Sequence, residues 1–125
     1  MKRVALLASS LLLGLAVCGC SSDFDHVTID NVKSPLSGSM NLARIEVPVG
    51  TIVTAHIVAY NENHDTMSVD LHTKDSSLLD VANVVSEHDY AFLGVKAGET
   101  EIEMRADGKL VLVFRAAVVN QPTPP

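Results

Sequence analysis

Hydrophobic and polar residues alternate along much of the chain with the two-residue period of half-buried antiparallel strands. Residues 51–60 show this pattern most clearly, and residues 67–73 and 99–106 repeat it. Further short apolar strands are predicted at 26–32, 42–49, 78–85, 90–95 and 109–119, with turns rich in Gly, Asn, Asp, Ser and Pro between them. No window has a convincing 3.6-residue apolar period. The pattern predicts an all-β chain of seven or eight strands.

The same alternation predicts which side chains face the core. Asp107-Gly108 is the strongest hairpin signal, and it would join the last two strands. Pro48 cannot donate to a strand ladder, so residues 42–49 are expected at a sheet edge or at a crossing between sheets. The predicted core positions are Val27, Ile29, Val53, Ala55, Ile57, Ala59, Met67, Val69, Leu71, Ile102, Met104, Ala106, Leu110, Leu112, Phe114, Ala116 and Val118.

The start of the chain has a different pattern. Lys2 and Arg3 precede an almost entirely apolar or small run at residues 4–17, which is the plan of a signal peptide. The run is too short to span a bilayer, which takes about 20 apolar residues. Its end, Leu15-Ala16-Val17-Cys18-Gly19-Cys20, resembles the lipobox of bacterial lipoproteins. Cys18 and Cys20 are both possible registers, and Cys20 is favoured because the small Gly19 would precede the cut.

The lipobox resemblance implies a lipid on Cys20 and an acylated N-terminus, and two or three acyl chains anchor stably where one does not. With Ser21 rather than Asp after Cys20, the sorting rule of bacteria with two membranes implies the outer membrane. An ordinary secretory signal is the alternative. The predicted organisation is a lipoprotein signal peptide at 1–19, the lipidated Cys and a short tether at 20–25, one folded domain at 26–120 and a Pro-rich tail at 121–125.

Charge and composition narrow the function further. The formal net charge is −6, and removal of Lys2 and Arg3 would take it to −8. Such a surface disfavours nucleic acid and anionic membranes, so the membrane would be met through the lipid on Cys20. No Cys follows Cys20, so the domain cannot form an internal disulfide. With no Trp, two Tyr and three Phe, its core should be mainly aliphatic.

Two stretches of the second half carry recognisable motifs: residues 75–84 hold a polar turn and a short strand with Val81-Ala82, and residues 94–102 read Gly-Val-Lys-Ala-Gly-Glu-Thr-Glu-Ile. Together they resemble the group 2 bacterial immunoglobulin-like (Ig-like) domains. Val49-Gly50-Thr51 also matches the family's entry to an inner strand. The resemblance covers residues 45–119 and implies an Ig-like antiparallel β-sandwich. It also implies a non-enzymatic binding or structural module of the cell envelope, since the family has no shared chemistry.

Two groups of residues suggest metal binding. His56 and His72 are predicted on outward faces of neighbouring strands, and imidazole is a common metal ligand. Residues 61–65, with Glu62 and Asp65, concentrate oxygen groups as a calcium loop does. Neither group has the spacing of a known metal motif, so solvated strand residues and a plain polar turn are favoured. A periplasmic protein that binds a small ligand or metal is the alternative function, and no cofactor is predicted.

Signals for catalysis are only fragments. Ser86, His88 and Asp89 lie close in sequence, but side chains adjacent on a strand point to opposite faces. The chain has no Gly-x-Ser-x-Gly elbow, and no Cys is left to act as a nucleophile. The sequence therefore predicts that the protein is not an enzyme.

The last strand suggests a surface for a partner. Its second face would carry Val111, Val113, Ala117 and Val119, with Arg115 as the one charge, although a solvated face should be more polar. We expect Val111, Val113, Arg115 and Val119 to contact an envelope protein or a second copy. The alternative is that residues 45–49, or the loop after Lys33, cover this face within the domain.

Overall fold

The computed structural model describes residues 23–36 and 38–121. The predicted signal peptide, Cys18, Cys20 and most of the Pro-rich tail lie outside the described residues. Within the described ranges the chain forms strands and turns, with no helix that is long and apolar enough to cross a membrane. The strands are β1 (Phe24–Lys33), β2 (Ser39–Met40), β3 (Arg44–Pro48), β4 (Ile52–Asn61), β5 (Thr66–Met67), β6 (Val69–Thr73), β7 (Leu79–Asn83), β8 (Asp89–Gly94), β9 (Gly98–Ala106) and β10 (Lys109–Val119).

These strands form two sheets that pack face to face. Sheet A has the order β1-β4-β8-β7, with β5 paired to the end of β4, and sheet B has the order β2-β3-β10-β9-β6. An Ig domain has the orders A-B-E-D and C-F-G, which β1-β4-β8-β7 and β6-β9-β10 reproduce. The predicted Ig-like β-sandwich is therefore confirmed. One pair differs from the antiparallel expectation, because β3 runs parallel to β10.

The parallel pair follows from the path of the chain. After β1 the chain leaves sheet A, pairs as β2 in sheet B, turns at Asn41 and returns as β3. The Asn41 side-chain oxygen accepts hydrogen bonds from the backbone N–H groups of Ala43 and Arg44, at 2.9 and 3.0 Å, which stabilises this turn. Pro48, at the end of β3, is fully buried. After Pro48 the chain leaves sheet B and enters sheet A as β4, so the crossing between sheets expected at residues 42–49 lies directly after Pro48.

The core lies between the sheets and is mainly aliphatic. Two phenyl rings, Phe92 from sheet A and Phe114 from sheet B, are fully buried in it. Tyr90 is also buried, and its hydroxyl donates a 3.0 Å hydrogen bond to the Val69 carbonyl. Burial raises the Tyr90 pKa above its ordinary value. The predicted core positions of β4 and β9 are confirmed: Val53, Ala55, Ile57, Ala59, Ile102, Met104 and Ala106 are all buried.

Strand β10 departs from the simple alternation at its start. Asp107 and Gly108 both have positive φ, 49° and 85°, as the predicted tight hairpin requires. The pairing then shifts between Leu110 and Leu112, so Val111 is the extra residue of a bulge. Leu110, predicted in the core, is 50% exposed, whereas Val111, predicted on the outer face, packs against the core. Because side chains of a strand alternate with a period of two, the inserted residue exchanges the sides on which Leu110 and Val111 lie.

The strand directions give the sandwich two distinct poles. Phe24 pairs with Asn61, and the Glu62 N–H donates to the Asp23 carbonyl, so the N-terminal pole carries the β4–β5 turn. The opposite pole holds Gly94, where an added Cβ would lie 2.6 Å from the Pro48 carbonyl oxygen of the facing sheet. Gly94 is thus required by close approach of the two sheets. The described chain ends at this second pole.

Candidate functional site

The four residues predicted to bind a partner on β10 do not form one surface. Val111 lies on the core side, and Val119 is half-buried beside Pro48. Val113 is 38% exposed and Arg115 is exposed, both on the outer face of sheet B. The structure therefore leaves Val113 and Arg115 as the accessible members of the predicted set.

The outer face of sheet B is charged around them. Arg115 pairs in register with Arg44 on β3 and Glu101 on β9, and Val113 pairs with Glu103. Ion pairs cover the face: Lys74–Glu101 at 2.8 Å, Arg44–Glu46 at 3.6 Å and Arg105–Glu103 at 3.8 Å. The hydrogen bond between Lys74 and Glu101 raises the lysine pKa and lowers the carboxyl pKa. The outer face of sheet B is therefore a charged, solvated surface. The sequence of β10 alone does not show this, because most of the charges lie on β3, on β9 and at Lys74.

The structure separates the two histidines proposed as metal ligands. His56 lies on β4 in sheet A and His72 on β6 in sheet B, so the strands are not neighbours. Glu62 and Asp65 lie in the β4–β5 turn, where the Asn61 side-chain oxygen accepts hydrogen bonds from the N–H groups of Asn63 and Asp65. Among residues 23–36 and 38–121, no group of three or more His, Cys, Asp or Glu side chains could hold a metal ion.

A hydrogen-bonded trio does form where sequence reasoning found only fragments. Asp89 accepts from the Ser86 hydroxyl at 2.8 Å through one oxygen, and its other oxygen lies 3.0 Å from His56 Nδ1. These contacts, that of His56 foremost, lower the Asp89 pKa. In a catalytic triad the histidine lies between the serine and the carboxylate. Here the carboxylate is central, so Ser86 contacts a weak base and is not activated as a nucleophile.

His88 does not supply the missing base. Its Nδ1 is buried and is without a hydrogen-bond partner among the described residues, and its ring meets the edge of His56 at a centroid distance of 5.9 Å. Its Nε2 lies 3.4 Å from a Glu87 carboxylate oxygen. The His88 carbonyl accepts a 2.8 Å hydrogen bond from the Ile57 N–H. The cluster therefore fastens the β7–β8 loop to β4.

The outer face of sheet A carries a group of exposed large apolar side chains. Ile52 on β4 pairs with Leu93 on β8, and they are 46% and 37% exposed. The next row across the sheet is small: Thr54, Ala91 and Ala82. Val84 and Val85 follow on the β7–β8 loop, and Val85 is 88% exposed. Two shallow depressions, of about 240 and 190 Å³, lie along this face.

Hydrogen bonds hold the loop that carries these valines. The Val84 N–H donates to the Asp89 carbonyl, and the Asp89 N–H donates to the Ser86 carbonyl. The Asn83 side-chain amide donates to the Glu87 carbonyl at 3.2 Å. Val85 is thus exposed on a fixed turn. Alternation places Ile52 on the outer side of β4, but the surface emerges only when β4, β8 and β7 are laid side by side.

Comparison with known proteins supports the architecture. No family model matches the chain, and no curated protein matches it. Among solved structures, it is similar to the S-layer protein rSbsC(31-844), with a TM-score of 0.58 and 15% identity over 82% of this chain and 14% of that one. It is also similar to domains 4–9 of surface layer protein SbsC, with a TM-score of 0.59 and 15% identity over 82% of this chain and 15% of that one.

A shorter solved structure, SbsC domains 4 and 5, matches with a TM-score of 0.52 and 16% identity, over 75% of this chain and 47% of that one. The chain therefore spans less than half of each of these S-layer chains. At such identities the similarity shows the fold alone, an all-β domain of the kind that these surface proteins contain.

Proposed function

We propose that this protein is a lipid-anchored module of the bacterial cell envelope, in which an Ig-like domain has a structural or protein-binding role without catalysis. The observation that carries the proposal is the position of the first strand. The first described residues, Asp23 and Phe24, contact Glu62 and Asn61 at the N-terminal pole. Cys20 lies three residues before Asp23.

The short spacing has a mechanical consequence. Only Ser21 and Ser22 separate Cys20 from Asp23, and an extended chain gains at most about 3.5 Å per residue. A lipid on Cys20 would therefore hold the N-terminal pole at the bilayer surface. The opposite pole, with Gly94 and the end of β10, would face away from the membrane.

Two observations support a role without catalysis. The arrangement of Ser86, Asp89 and His56 leaves the hydroxyl beside a carboxylate whose pKa is lowered. The similar solved structures are S-layer proteins, whose names describe surface layers. An envelope module that presents surfaces to other proteins agrees with both.

The anchor is tested by comparing Cys20→Ser with Cys18→Ser in a bacterial host that processes lipoproteins. We expect the Cys20 variant to lose the lipid-modified N-terminal peptide in mass spectrometry and to leave the membrane fraction or stay unprocessed. The Cys18 variant should be lipidated like the wild type. The reverse result would assign the anchor to Cys18. If neither the wild type nor the Cys18 variant is lipidated, the proposal is contradicted.

The outer-membrane address has a separate test. Because the sorting rule depends on the residue after the lipidated cysteine, Ser21→Asp should shift the protein to the inner-membrane fraction of a density gradient. Ser22→Ala is the matched control and should leave the distribution unchanged. If the wild-type protein is found in the inner-membrane fraction, the outer-membrane location is contradicted but the lipid anchor is not.

A further inference from the structure

We propose that the outer face of sheet A docks on the same face of a second copy of this chain, in a two-fold dimer whose axis runs along the strands. The first argument is the contrast between the two outer faces. Sheet B presents ion pairs that include Lys74–Glu101. Sheet A has the His56–Asp89 pair, but it also presents the exposed apolar side chains of Ile52, Leu93, Val84 and Val85. An exposed cluster of large apolar side chains marks an interaction surface.

The second argument is that this face is complementary to itself in shape. Val84 and Val85 protrude on a loop held by hydrogen bonds, and both line the depression of about 240 Å³. The adjoining depression is lined by Ala82 and Ala91, whose side chains are small. A two-fold contact needs a protrusion and a recess on the same surface, because each copy supplies both.

The third argument is charge, and it selects the axis. Lys33 lies on β1 at one edge of sheet A, and Asp80 lies on β7 at the other edge. Neither side chain has an ion-pair partner among the described residues. An axis along the strands lays β1 over β7 of the second copy, so Lys33 approaches Asp80. An axis across the strands lays β1 over a reversed β1, so Lys33 and Asp80 stay at opposite edges and do not meet.

The same axis suits two anchored copies, a step that rests on the proposed function. Rotation about the strand direction leaves both N-terminal poles at the same end, so both lipids can enter one membrane. The axis across the strands would place the two poles at opposite ends. Face-to-face packing of sheets with nearly aligned strands is a common arrangement.

The size of the face indicates where the dimer forms. Four strands about 4.8 Å apart, over about five residues at 3.3 Å each, cover on the order of 300 Å². Stable complexes bury about 800 Å² per partner. We therefore expect a weak dimer in dilute solution, which tethering to one membrane would favour by raising the effective concentration.

The first experiment compares two exposed valines in the full-length, membrane-inserted protein, treated with an amine-reactive crosslinker. Val85→Ser should reduce the crosslinked dimer roughly tenfold relative to wild type, since the substitution removes an apolar contact from both copies. Val113→Ser, on the outer face of sheet B, is the matched control and should leave the dimer unchanged. Equal loss in both variants, or no dimer in the wild type, would overturn the proposal.

The second experiment tests the axis with cysteines. The chain has two native cysteines, both at or before position 20, so a lipidated mature protein would carry no other thiol. With a short bismaleimide, the double variant K33C/D80C should give dimers, whereas K33C alone and D80C alone should not. Dimers from K33C alone would overturn the arrangement along the strands.

A charge exchange separates this proposal from the anchor. Lys33→Glu and Asp80→Lys should each lower the dimer fraction measured by sedimentation, which does not depend on reactive amines, and the two together should restore it, as expected for a direct pair. The single and double variants are also compared in detergent extracts at high protein concentration, where dimer formation does not require a shared bilayer. If the double variant restores the dimer in detergent but the protein is not lipidated, only the proposed anchor is overturned. If the protein is lipidated but the double variant does not restore the dimer, the Lys33–Asp80 pairing is overturned.

Discussion

Asp89 shows how single residues hold this fold together where its strands end. Its two carboxylate oxygens contact Ser86, in the loop that precedes β8, and His56, which is 33 positions away on β4. Both contacts favour the ionised carboxylate, which is why they lower its pKa. The stabilisation from these contacts is therefore tied to the charge of Asp89.

The pH dependence follows from that sign. A carboxyl group whose pKa is lower in the folded state stabilises the fold above its unfolded pKa, and the contribution is lost as pH falls through the folded pKa. Asp89→Asn should therefore lower the urea midpoint most at neutral pH, and the difference from wild type should shrink below the ordinary value of 3.8. Circular dichroism at several pH values measures this.

Glu62→Gln is the control for this measurement, since Glu62 lies in an exposed turn. Its difference from wild type should be small at neutral pH. A constant difference between Asp89→Asn and wild type across the acidic range would contradict the assigned role of the Asp89 charge.

At the scale of elements, the bulge in β10 determines which residues support the core. Leu110 pairs with Arg105 and is half exposed, whereas Val111 packs against buried residues of both core clusters. The hairpin turn at Asp107-Gly108 precedes this bulge. The regular alternation resumes at Leu112, which pairs with Met104.

A pair of substitutions tests the bulge. Val111→Ser should destabilise the protein by about 1–2 kcal/mol, because it removes apolar contacts and places a hydroxyl against the core. Leu110→Ser should change the free energy of unfolding by less than about 0.5 kcal/mol, as exposed sites do. Urea unfolding followed by circular dichroism measures both. The opposite ranking would support uninterrupted alternation and contradict the bulge.

At the scale of the whole molecule, one core joins the two sheets. Phe92 and Phe114 are fully buried from opposite sides, and the same cluster includes Ile45, Ile57 and Ile102. No cysteine occurs in the described residues, so no disulfide supports this core. The stability of the domain must therefore come from packing and from the strand ladders.

Phe92→Ala tests this dependence on packing. Deleting a buried phenyl ring costs about 3–5 kcal/mol, a large part of the roughly 5–15 kcal/mol that a domain has in total. The variant should unfold at a much lower urea concentration or temperature than wild type. Phe24→Ala, at the partly buried start of β1, should cost clearly less. Similar losses in the two variants would contradict a core centred on Phe92.

Much of the fold could be predicted from local pattern. The period of two in residues 51–60 and 99–106 is visible in the chain, because alternate side chains of a strand face opposite sides. The Asp107-Gly108 turn was visible too, since few residue pairs adopt positive φ at both positions. Candidate sites were harder to predict from the sequence, because the trio of Ser86, Asp89 and His56 depends on a contact across 33 positions.

The all-β class, the turn positions and most core residues follow from local sequence pattern, since each depends on neighbours within a few positions. The lipid anchor at Cys20 stays a sequence-based proposal. Tertiary structure decided the parallel pairing of β3 with β10, the exchange of Leu110 and Val111, and the charged surroundings of Val113. It also decided that Ile52, Leu93 and Val85 share one surface. These features depend on which strands lie side by side, and strand pairing is a property of the whole chain.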